Sequence, residues 1–409
     1  MKGYRCIACN DSQPADYAGF VCPSCGGNLD VDYDYDKIVP EFDSGDGILR
    51  YAALLPLENP AASLPLKIGG TPLYKAGRLG DLIGLRYLYL KDDTGNPSAS
   101  IKDRASAVAL QRALDTGADT VAVASTGNAG SSTACLAAAM GLRAVVFVPE
   151  SAPVPKLVQS LAYGATVFAV RGNYDDAYDL CLRASREFGW FNRSTGFNPF
   201  TREGKKTCSY EIWEQLGRVP DRVVVPTGDG NILSGIWKGW RDLYAVGVID
   251  RLPKIDCAQA EASAAISQAV EKARRGGSEP DWRTFEIESV TASTIADSRS
   301  VDRPRDGLAA VKAIIESGGE AITVTDDEIL TCIREMAGTS GVFAEPAAAA
   351  PWAAAKRMVS ERRIAADEFI VCLVTGNGLK DVTSAGSIAG TPRMIDATLE
   401  AVRKSLQNR

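Results

Sequence analysis

The chain has 409 residues, 45% hydrophobic and 23% charged, which is typical of a packed protein with two or three domains and not of a disordered one. Its 45 Lys and Arg residues and 51 Asp and Glu residues give a net charge of −6, which argues against a non-specific nucleic-acid binder. No apolar run approaches the ~20 residues that cross a bilayer, and no secretory signal opens the sequence. We therefore predict a cytoplasmic protein with no membrane or nucleic-acid partner.

The sequence contains no histidine, and this excludes several classes of enzyme. Ser-His-Asp and Cys-His nucleophile systems, H-E-x-x-H zinc hydrolases and two-His iron sites cannot be built. If the chain is an enzyme, its protons must move through Lys, Asp, Glu, Tyr, Cys or a cofactor.

Residues 1–40 are predicted to form a separate unit, because four of the ten cysteines fall within the first 25 residues. Cys6 and Cys9 form one C-x-x-C pair, and Cys22 and Cys25 form a second. Four thiolates at this spacing can surround one tetrahedral metal, so the pattern favours a structural zinc ribbon, with four free thiols as the alternative. The other six cysteines are scattered singly and are predicted to be reduced core thiols.

From about residue 70 the chain alternates apolar β-rich runs with amphipathic helical patterns. The near-continuous hydrophobic runs predict strands that are buried on both faces. The predicted strands are 86–91, 120–124, 143–148, 165–170, 222–225 and 369–374, and the predicted helices include 105–116, 131–140 and 155–163. This alternation indicates an α/β fold, in which ligands bind beyond the carboxyl ends of parallel strands.

The first segment that carries chemistry is N-P-S-A-S-I-K-D-R at 96–104. Helix-forming residues begin near Ser100, so Lys102 is predicted to lie in the first turn of a helix. The positive partial charge of a helix N-terminus lowers the pKa of a lysine and favours the neutral amine that Schiff-base chemistry requires. The alternative is an exposed lysine that pairs with Asp103.

Three further loops each follow a predicted strand. S-T-G-N-A-G-S at 125–131 and T-G-D-G-N at 227–231 place glycines before a helix, where backbone N–H groups can bind a carboxylate or a phosphate. Leu233 stands where a dinucleotide fingerprint needs glycine, so the second loop fits the phosphate of a smaller cofactor. In V-T-G-N-G-L-K-D at 374–381, Thr375 is predicted to point its hydroxyl into the crevice. Glycine turns without a ligand and a solvated threonine are the alternatives.

Taken together, these segments predict a site for pyridoxal 5′-phosphate (PLP). A reactive lysine, an asparagine loop, a phosphate-sized glycine loop and a terminal hydroxyl are the groups that hold this cofactor. Without histidine, a lysine bound to PLP is also the simplest acid–base group available to the chain.

The sequence also resembles a known family along nearly its whole length, the threonine synthases within the fold-type-II, tryptophan synthase β-like PLP enzymes. The motifs that carry the resemblance are ordered along the chain. They are the two C-x-x-C pairs, G-G-T-P-L at 69–73, L-Y-L-K-D-D at 88–93, N-P-S-A-S-I-K-D-R-A, S-T-G-N-A-G, N-P-F-T-R-E-G-K-K-T at 198–207, P-T-G-D-G-N-I, T-I-A-D at 294–297, V-F-A-E-P-A-A-A-A at 342–350 and T-G-N-G-L-K-D.

The resemblance implies a role for each matching residue. Lys102 resembles the lysine that forms the Schiff base with PLP and then moves protons. Asn128 resembles the asparagine that hydrogen-bonds the cofactor's 3′-oxygen, and Thr375 the hydroxyl that faces its pyridine nitrogen. The family's loop that binds the cofactor's phosphate through backbone amides is matched here by Gly228, Asp229, Gly230, Asn231 and Ile232. The family's substrate-binding loop is matched by Ser125, Thr126, Gly127 and Ala129.

The family also implies an architecture. We expect two open, twisted, mostly parallel sheets flanked by helices, with the zinc-ribbon-like segment at residues 1–40. Residues 41–105 and 206–409 are expected to form a large PLP-binding domain, and residues 106–205 a small mobile domain. The resemblance also implies a homodimer.

The chain departs from the family at the substrate end. Ala129 stands where the phosphate pocket usually has a hydroxyl, and Thr201 stands where an arginine is usual. Gly196-Phe197 replaces the usual Asn-Ser, and Ala99 replaces a glycine. Losing a guanidinium from a dianion site is not a neutral change. Three cations are alternatives for replacing it: Lys205, Arg202 and Arg299.

The leading functional hypothesis is a lyase of the threonine synthase type, which eliminates phosphate from O-phospho-L-homoserine and adds water to give L-threonine. The alternative is replacement or elimination at Cβ of O-phosphoserine, serine or threonine, as in cysteate synthase or threonine dehydratase. The T-I-A-D motif with Asp297 leans toward the dehydratases. A zinc-ribbon adaptor or nucleic-acid binder built on an inactive enzyme fold is a third hypothesis, against which the net charge and the intact Lys102 both count.

Overall fold

The computed structural model describes residues 1–40, 42, 45–58, 64–296 and 301–407. Within these residues the chain forms thirteen strands and thirteen α-helices. The strands are β1 Gly3–Cys6, β2 Ser12–Pro14, β3 Leu29–Asp32, β4 Leu73–Lys75, β5 Tyr87–Asp92, β6 Thr120–Ala124, β7 Arg143–Pro149, β8 Thr166–Val170, β9 Phe191–Asn192, β10 Arg222–Pro226, β11 Lys254–Ala260, β12 Ala321–Val324 and β13 Phe369–Val374. The helices are α1 Gly77–Gly80, α2 Lys102–Asp115, α3 Asn128–Met140, α4 Val154–Ala162, α5 Tyr174–Phe188, α6 Phe200–Leu216, α7 Asn231–Ala245, α8 Ala265–Arg275, α9 Gly307–Ser317, α10 Asp326–Ser340, α11 Pro346–Ser360, α12 Val382–Ala389 and α13 Leu399–Gln407.

The strands form three sheets. The largest has six strands in the order β12-β11-β10-β13-β5-β4, parallel except for β4, which runs antiparallel to β5. The second has four parallel strands in the order β8-β7-β6-β9. A small antiparallel sheet, β2-β1-β3, is formed entirely by the cysteine-rich segment. The predicted α/β fold with two mostly parallel sheets and a separate N-terminal ribbon is therefore confirmed.

The inner strands β10, β11 and β13 of the six-stranded sheet are buried on both faces, which explains the near-continuous apolar runs of β10 and β13. In β13, Ile370 belongs to the core that contains Trp352 of α11. Val371 and Leu373 of the same strand belong to the opposite core, which contains Trp240 of α7. Successive side chains of a strand point to opposite faces, so an uninterrupted apolar run is needed to fill both cores.

The predicted helices are present, but two of them begin before the bounds predicted from their apolar periodicity. Helix α2 begins at Lys102 and α3 at Asn128, each three residues before the predicted helices 105–116 and 131–140. Their first turns carry polar or small residues that lie at or behind the cleft described below, so the apolar pattern starts one turn late. Sequence reasoning also missed β4, β9, β11 and β12, of which β9 has only two residues.

The cysteine-rich segment packs against the rest of the chain through aromatic contacts. Tyr4 contacts Phe200 of α6 edge to face, with ring centroids 6.2 Å apart. Phe20 contacts Phe191 of β9 at 5.3 Å. No helix among the described residues combines the length and apolarity that crossing a bilayer demands.

Candidate active site

The loops that follow β5, β6, β10 and β13 meet around one cleft. The residues that line it come from both large sheets and include most of the predicted cofactor site. They are Ile101, Lys102, Asn128, Pro226, Thr227, Gly228, Asp229, Gly230, Ile232, Glu345 and Thr375. The structure thus places Lys102, Asn128, the glycine loop and Thr375 around one space, as the sequence predicts.

The backbone that carries Lys102 is anchored to the end of β13. The amide of Ile101 donates to the carbonyl of Thr375 at 2.9 Å, and the amide of Asn377 donates to the carbonyl of Ala99 at 3.2 Å. Ala99 has a φ of 63°, in the left-handed region that favours glycine, which gives a backbone reason for the family's glycine at this position. Hydrogen bonds therefore attach the loop that carries Lys102 to the segment that contains Thr375, directly after β13.

Asp103 is buried and directed toward Ser98. Its carboxylate accepts the Ser98 amide at 2.6 Å and the Ser98 hydroxyl at 2.5 Å. Burial raises the pKa of Asp103, although hydrogen bonds from Ser132 and Ser98 counteract part of that effect. The structure therefore places Lys102 in the cleft and gives Asp103 a structural role in the loop, instead of an exposed Lys102–Asp103 pair.

The glycine loop before α7 is fixed from behind by a buried carboxylate. Gly230 has a φ of 95°, and a Cβ atom there would lie 2.7 Å from the carbonyl oxygen of Asp306, so only glycine fits. The carboxylate of Asp306 accepts Nδ2 of Asn231 and the hydroxyl of Ser234, each at 2.8 Å. The Asp306 amide donates to the carbonyl of Asp229 at 2.9 Å. This support from Asp306 was missed by the sequence reasoning.

Asn128 is paired with a carboxylate that the sequence reasoning did not assign. Nδ2 of Asn128 donates to Oε1 and Oε2 of Glu345 at 2.9 and 3.0 Å. A Cβ atom on Gly376 would lie 2.4 Å from the Glu345 carboxyl group, so glycine at 376 makes room for it. Glu345 falls within the motif V-F-A-E-P-A-A-A-A, which was a signal for the family but not for a site.

A second cleft adjoins the first and shares Asn128 and Glu345 with it. Lys380, after β13, reaches across this cleft to the helices that follow β6 and β7. Its Nζ contacts Oε1 of Gln159 at 2.5 Å and the hydroxyl of Ser131 at 3.1 Å. Burial lowers the pKa of Lys380, and the nearby Glu345 carboxylate opposes that shift. This cleft leads from the surface toward Asn128.

Not every predicted site residue lines a cleft. Gly127 lines the second cleft, whereas Ser125, Thr126 and Ala129 lie in the adjoining loop and first helical turn and line neither. The hydroxyl of Ser125 accepts the amide of Gly127 at 3.2 Å, so it shapes the turn. The side chain of Asn231 lies behind the glycine loop, where it contacts Asp306.

The structure separates the three cations that were alternatives for the missing arginine. Arg202 pairs with Asp30 at 2.8 Å and with Asp306 at 2.6 Å, so its charge is already neutralised. Arg299, like Asp297, lies outside the described residues. Lys205 is completely buried beside Asn231.

The four N-terminal cysteines meet at one point. Their sulfur atoms all lie within 4.8 Å of one another, with Cys6 and Cys25 3.5 Å apart and Cys9 and Cys22 3.7 Å apart. A tetrahedral zinc with Zn–S bonds of ~2.3 Å has its sulfurs about 3.8 Å apart. The four thiols therefore match the predicted structural zinc centre, which is remote in sequence from the cleft residues.

The first cleft fits the predicted cofactor. It combines the amine of Lys102, backbone N–H groups at the start of α7 and the hydroxyl of Thr375, which is only 4% exposed. An aldehyde, a phosphate and a pyridine ring need these three kinds of group.

Comparison with known proteins gives the class. Residues 64–376 match the family model described as pyridoxal-phosphate dependent enzyme, which covers more than half of the chain. The structure resembles the processed form of threonine deaminase isoform 2 from Solanum lycopersicum, with a TM-score of 0.68, 20% identity and coverage of 86% of this chain and 98% of that one. It also resembles maize serine racemase, with a TM-score of 0.62, 19% identity and coverage of 83% and 92%. The chain belongs to the fold-type-II PLP-dependent enzymes, and its cofactor is PLP.

Sequence relatives define the group within that family. The chain is 36% identical to the threonine synthase of Methanocaldococcus jannaschii over 98% of its own length and 99% of the relative's. It is also 36% identical to the threonine synthase of Methanosarcina acetivorans, over 99% of both chains. The resemblance to the threonine synthases is therefore confirmed, and with it a lyase of the threonine synthase type.

Proposed function

We propose that the protein eliminates phosphate from O-phospho-L-homoserine and adds water to give L-threonine. The observation that carries the proposal is the cleft in which Lys102 faces the glycine loop, in a chain similar to threonine synthases from end to end. The substrate is the finer part of the proposal, and the lyase chemistry follows from the family.

The cofactor is expected to lie in the first cleft. Backbone N–H groups of Gly228 to Ile232 would bind its phosphate, because the start of α7 carries a positive partial charge. Nδ2 of Asn128 has two N–H bonds, so it can donate both to Glu345 and to the cofactor's 3′-oxygen. The hydroxyl of Thr375 would face the pyridine nitrogen. Bound in this way, PLP withdraws electrons from Cα and makes its proton removable.

Lys102 then performs the proton transfers. Its Nζ takes the proton from Cα of the bound amino acid, passes it to the cofactor-bound substrate and, as a free amine again, takes a proton from Cβ. The phosphate group leaves from Cγ with its bonding electrons, and Lys102 returns one proton to Cγ and one to Cα. The hydroxyl of water adds at Cβ, and the released phosphate acts as the base that takes the water's proton. Since the chain has no histidine, the proposal gives the proton transfers at Cα, Cβ and Cγ to Lys102.

Reaction at Cβ of O-phosphoserine, serine or threonine is the second candidate. Two observations favour it: Thr201 and Ala129 replace the arginine and the hydroxyl that the family usually places at the substrate phosphate. The two candidates share Lys102 and the glycine loop and differ in where the leaving group lies.

A side-by-side assay decides between them. The purified protein is given O-phosphohomoserine, O-phosphoserine and threonine, and release of phosphate and of ammonia is measured. Phosphate release with threonine formation from O-phosphohomoserine supports the proposal. Ammonia release from threonine, or phosphate release from O-phosphoserine alone, supports the second candidate instead.

We further propose that residues 106–205 form a small mobile domain and that residues 41–105 and 206–409 form the large one. The four-stranded sheet supports this division, because its strands all lie between Thr120 and Asn192. The contact of Lys380 with Gln159 joins the two parts across the second cleft.

A cytoplasmic homodimer is also part of the proposal. Exposed apolar side chains near the C-terminus support it, since Val382, Met394 and Leu399 are 60%, 93% and 75% exposed. A second copy of the chain would remove such a surface from water. Sedimentation of the full chain beside a chain that ends at residue 389 tests the dimer: loss of dimer on truncation is expected.

A further inference from the structure

The described residues bury nine Lys and Arg side chains, and seven of them lie within 4 Å of a carboxylate oxygen. The seven are Lys91, Arg104, Arg112, Arg202, Lys206, Arg222 and Lys238. Buried charges are costly in proteins, and pairing of this kind is the usual compensation. The two exceptions are Lys205 and Arg193.

Lys205 and Arg193 are both completely buried, and their described contacts are neutral oxygen atoms. Nζ of Lys205 donates to Oδ1 of Asn231. Nε of Arg193 donates to the hydroxyl of Ser106 at 3.1 Å, and Nη1 donates to the hydroxyl of Thr195 at 3.2 Å. Each of the two cations therefore lacks an ion pair within the described part of the chain.

Both cations lie next to the candidate active site. Nη2 of Arg193 is 3.5 Å from the carbonyl oxygen of Lys102, the residue that lines the cleft. Lys205 reaches Asn231, which follows Gly230 at the start of α7. The two side chains therefore approach the cleft from the loop after β9 and from α6.

The electrostatic surroundings of Lys205 and Arg193 agree with this placement. Burial lowers the pKa of Lys205 well below its ordinary value, and Lys102 and Arg193 lower it further. Asp229 and Asp306 act on Lys205 in the opposite direction. Burial likewise lowers the pKa of Arg193 to about 10, against the attraction of Asp103 and Asp229. A dianion beside these two side chains would oppose the lowering and favour the charged form of Lys205.

Lys205 lies one helical turn after Thr201, the position at which the family usually has an arginine. The two residues are four positions apart on α6 and therefore lie on the same face of the helix. The hydroxyl of Thr201 is 3.3 Å from Oδ1 of Asn231, the same atom that Lys205 contacts. Lys205 thus places an amine at Oδ1 of Asn231, the atom that the side chain of Thr201 also contacts.

We propose that Lys205 and Arg193 form the binding site for a dianionic phosphate monoester beside Lys102. The proposal deepens the proposed function and rests on it for the identity of the substrate, a phosphorylated amino acid. Lys205 takes the place of the arginine that is missing at position 201, and Arg193 supplies the fork of N–H donors that suits a phosphate. Charge that develops on the departing phosphate is stabilised by both.

Two phosphates can occupy such a site, that of the substrate and that of the cofactor, so the experiment has two arms. In the first arm, binding of inorganic phosphate to the holoenzyme is measured by calorimetry, with the cofactor's own phosphate already in place. K205M and R193M are each expected to weaken phosphate binding roughly tenfold to a hundredfold. Lys254→Met removes an exposed charge at the start of β11 and serves as the control that leaves binding unchanged.

In the second arm, apoenzyme is reconstituted with PLP and with pyridoxal, which lacks the phosphate. If the cofactor's phosphate is the ligand, K205M weakens PLP binding roughly tenfold or more and leaves pyridoxal binding unchanged. A loss confined to the first arm assigns the site to the substrate.

Stability gives a readout that a merely structural lysine would not produce. Removing a buried amine that has no carboxylate partner is expected to raise the thermal midpoint of ligand-free K205M above that of the parent protein. The neighbouring Lys206 pairs with Glu203 at 2.6 Å and with Asp242 at 2.7 Å, so K206M is expected to lower the midpoint. K205Q keeps a donor for Asn231 and is expected to behave as K205M does.

Phosphate and PLP affinities that stay unchanged in K205M, K205Q and R193M would overturn the proposal. A lower thermal midpoint in K205M, similar to that of K206M, would contradict it as well. These outcomes are independent of turnover. If none of the three substrates reacts while phosphate binding still depends on Lys205, the proposed function fails and the phosphate site stands.

Discussion

The two large sheets contribute differently to the candidate active site. The six-stranded sheet carries Lys102, the glycine loop and Thr375, and its strand β10 is buried throughout. The four-stranded sheet carries the Asn128 loop, and its edge strand β8 is exposed or half-exposed along its length. The groups that would hold the cofactor therefore sit on the better-buried part of the molecule, and the loop expected to meet the substrate sits on the less buried part.

The charges of the two regions differ in the same way. Behind Lys102, Arg104 pairs with Asp93 at 2.7 Å and with Glu211 at 2.6 Å, and all three side chains are at most 4% exposed. Beside β6 and β7, Arg143 pairs with Asp119, and both side chains are more than 70% exposed. A buried network fixes geometry, whereas an exposed pair contributes little. We therefore expect the cofactor side to be the more rigid of the two, in line with the small mobile domain that we propose.

The largest expected effect is on chemistry at the six-stranded sheet. Lys102→Ala is expected to abolish turnover and the covalent link to the cofactor, because proton transfer alone contributes roughly 10²–10⁴-fold to a rate. Absorbance of the purified protein before and after borohydride, together with an assay of phosphate release, checks this. Steady-state turnover in the variant would refute the assignment of Lys102.

The second prediction sets the buried network against the exposed pair. Arg104→Met leaves the buried Asp93 without its ion pair and leaves Glu211 with Lys91 as its remaining ion-pair partner, so it is expected to lower the free energy of unfolding by about 3–5 kcal/mol. Arg143→Ala, the matched change on the other sheet, is expected to have no measurable effect. Denaturant unfolding of both variants makes the comparison. Equal losses would contradict the contrast between the two regions.

The third prediction concerns pH. Burial alone raises the pKa of Glu211, but Arg104 and Lys91 outweigh burial and lower it to about 2 from 4.5. A lowered carboxyl pKa stabilises the fold above pH 4.5, and this contribution of roughly 3 kcal/mol is lost as the pH falls toward 2. Unfolding free energies measured between pH 6 and pH 2 for the parent and for Glu211→Gln test it. A parent curve as flat as that of the variant would be inconsistent with the lowered pKa.

The fourth prediction uses the ribbon, which belongs to neither large sheet. Cys22→Ser removes one of four converging sulfurs and is expected to lower the thermal midpoint by several degrees while leaving turnover per folded molecule nearly unchanged. Metal content by mass spectrometry and turnover normalised to folded protein are the measurements. Lost turnover with an unaltered midpoint would place the ribbon in the active site instead.

The smallest expected effect is at the contact between the two regions. Lys380→Met removes the link from the end of β13 to Gln159 and Ser131 and is expected to raise KM several-fold with a smaller change in kcat. Because burial lowers the pKa of Lys380, the parent protein should gain stability as the pH rises toward 10.5, and the variant should lack that gain. A change in kcat alone would argue against a positioning role.

Part of the site could be read from the sequence because its signals are local. Gly230 needs a left-handed backbone, Lys102 follows a turn signal, and the C-x-x-C pairs bring their sulfurs together within short loops. Each of these features depends on a few consecutive residues. Glu345 and Asp306 carried no such signal, because their role depends on partners 217 and 75 positions away along the chain.

The sequence by itself determined the alternation of strands and helices, the identity of the cleft loops and the family. Apolar periodicity and glycine turns depend on residues that are close together in the chain, and the family depends on the order of its motifs. Tertiary structure alone decided which charges are neutralised. Arg202 and Lys205 are three residues apart on α6, yet one meets two carboxylates and the other meets an amide oxygen. Which charge faces which depends on how distant segments pack, since Coulomb energy in a protein interior depends on distance and burial and not on sequence separation.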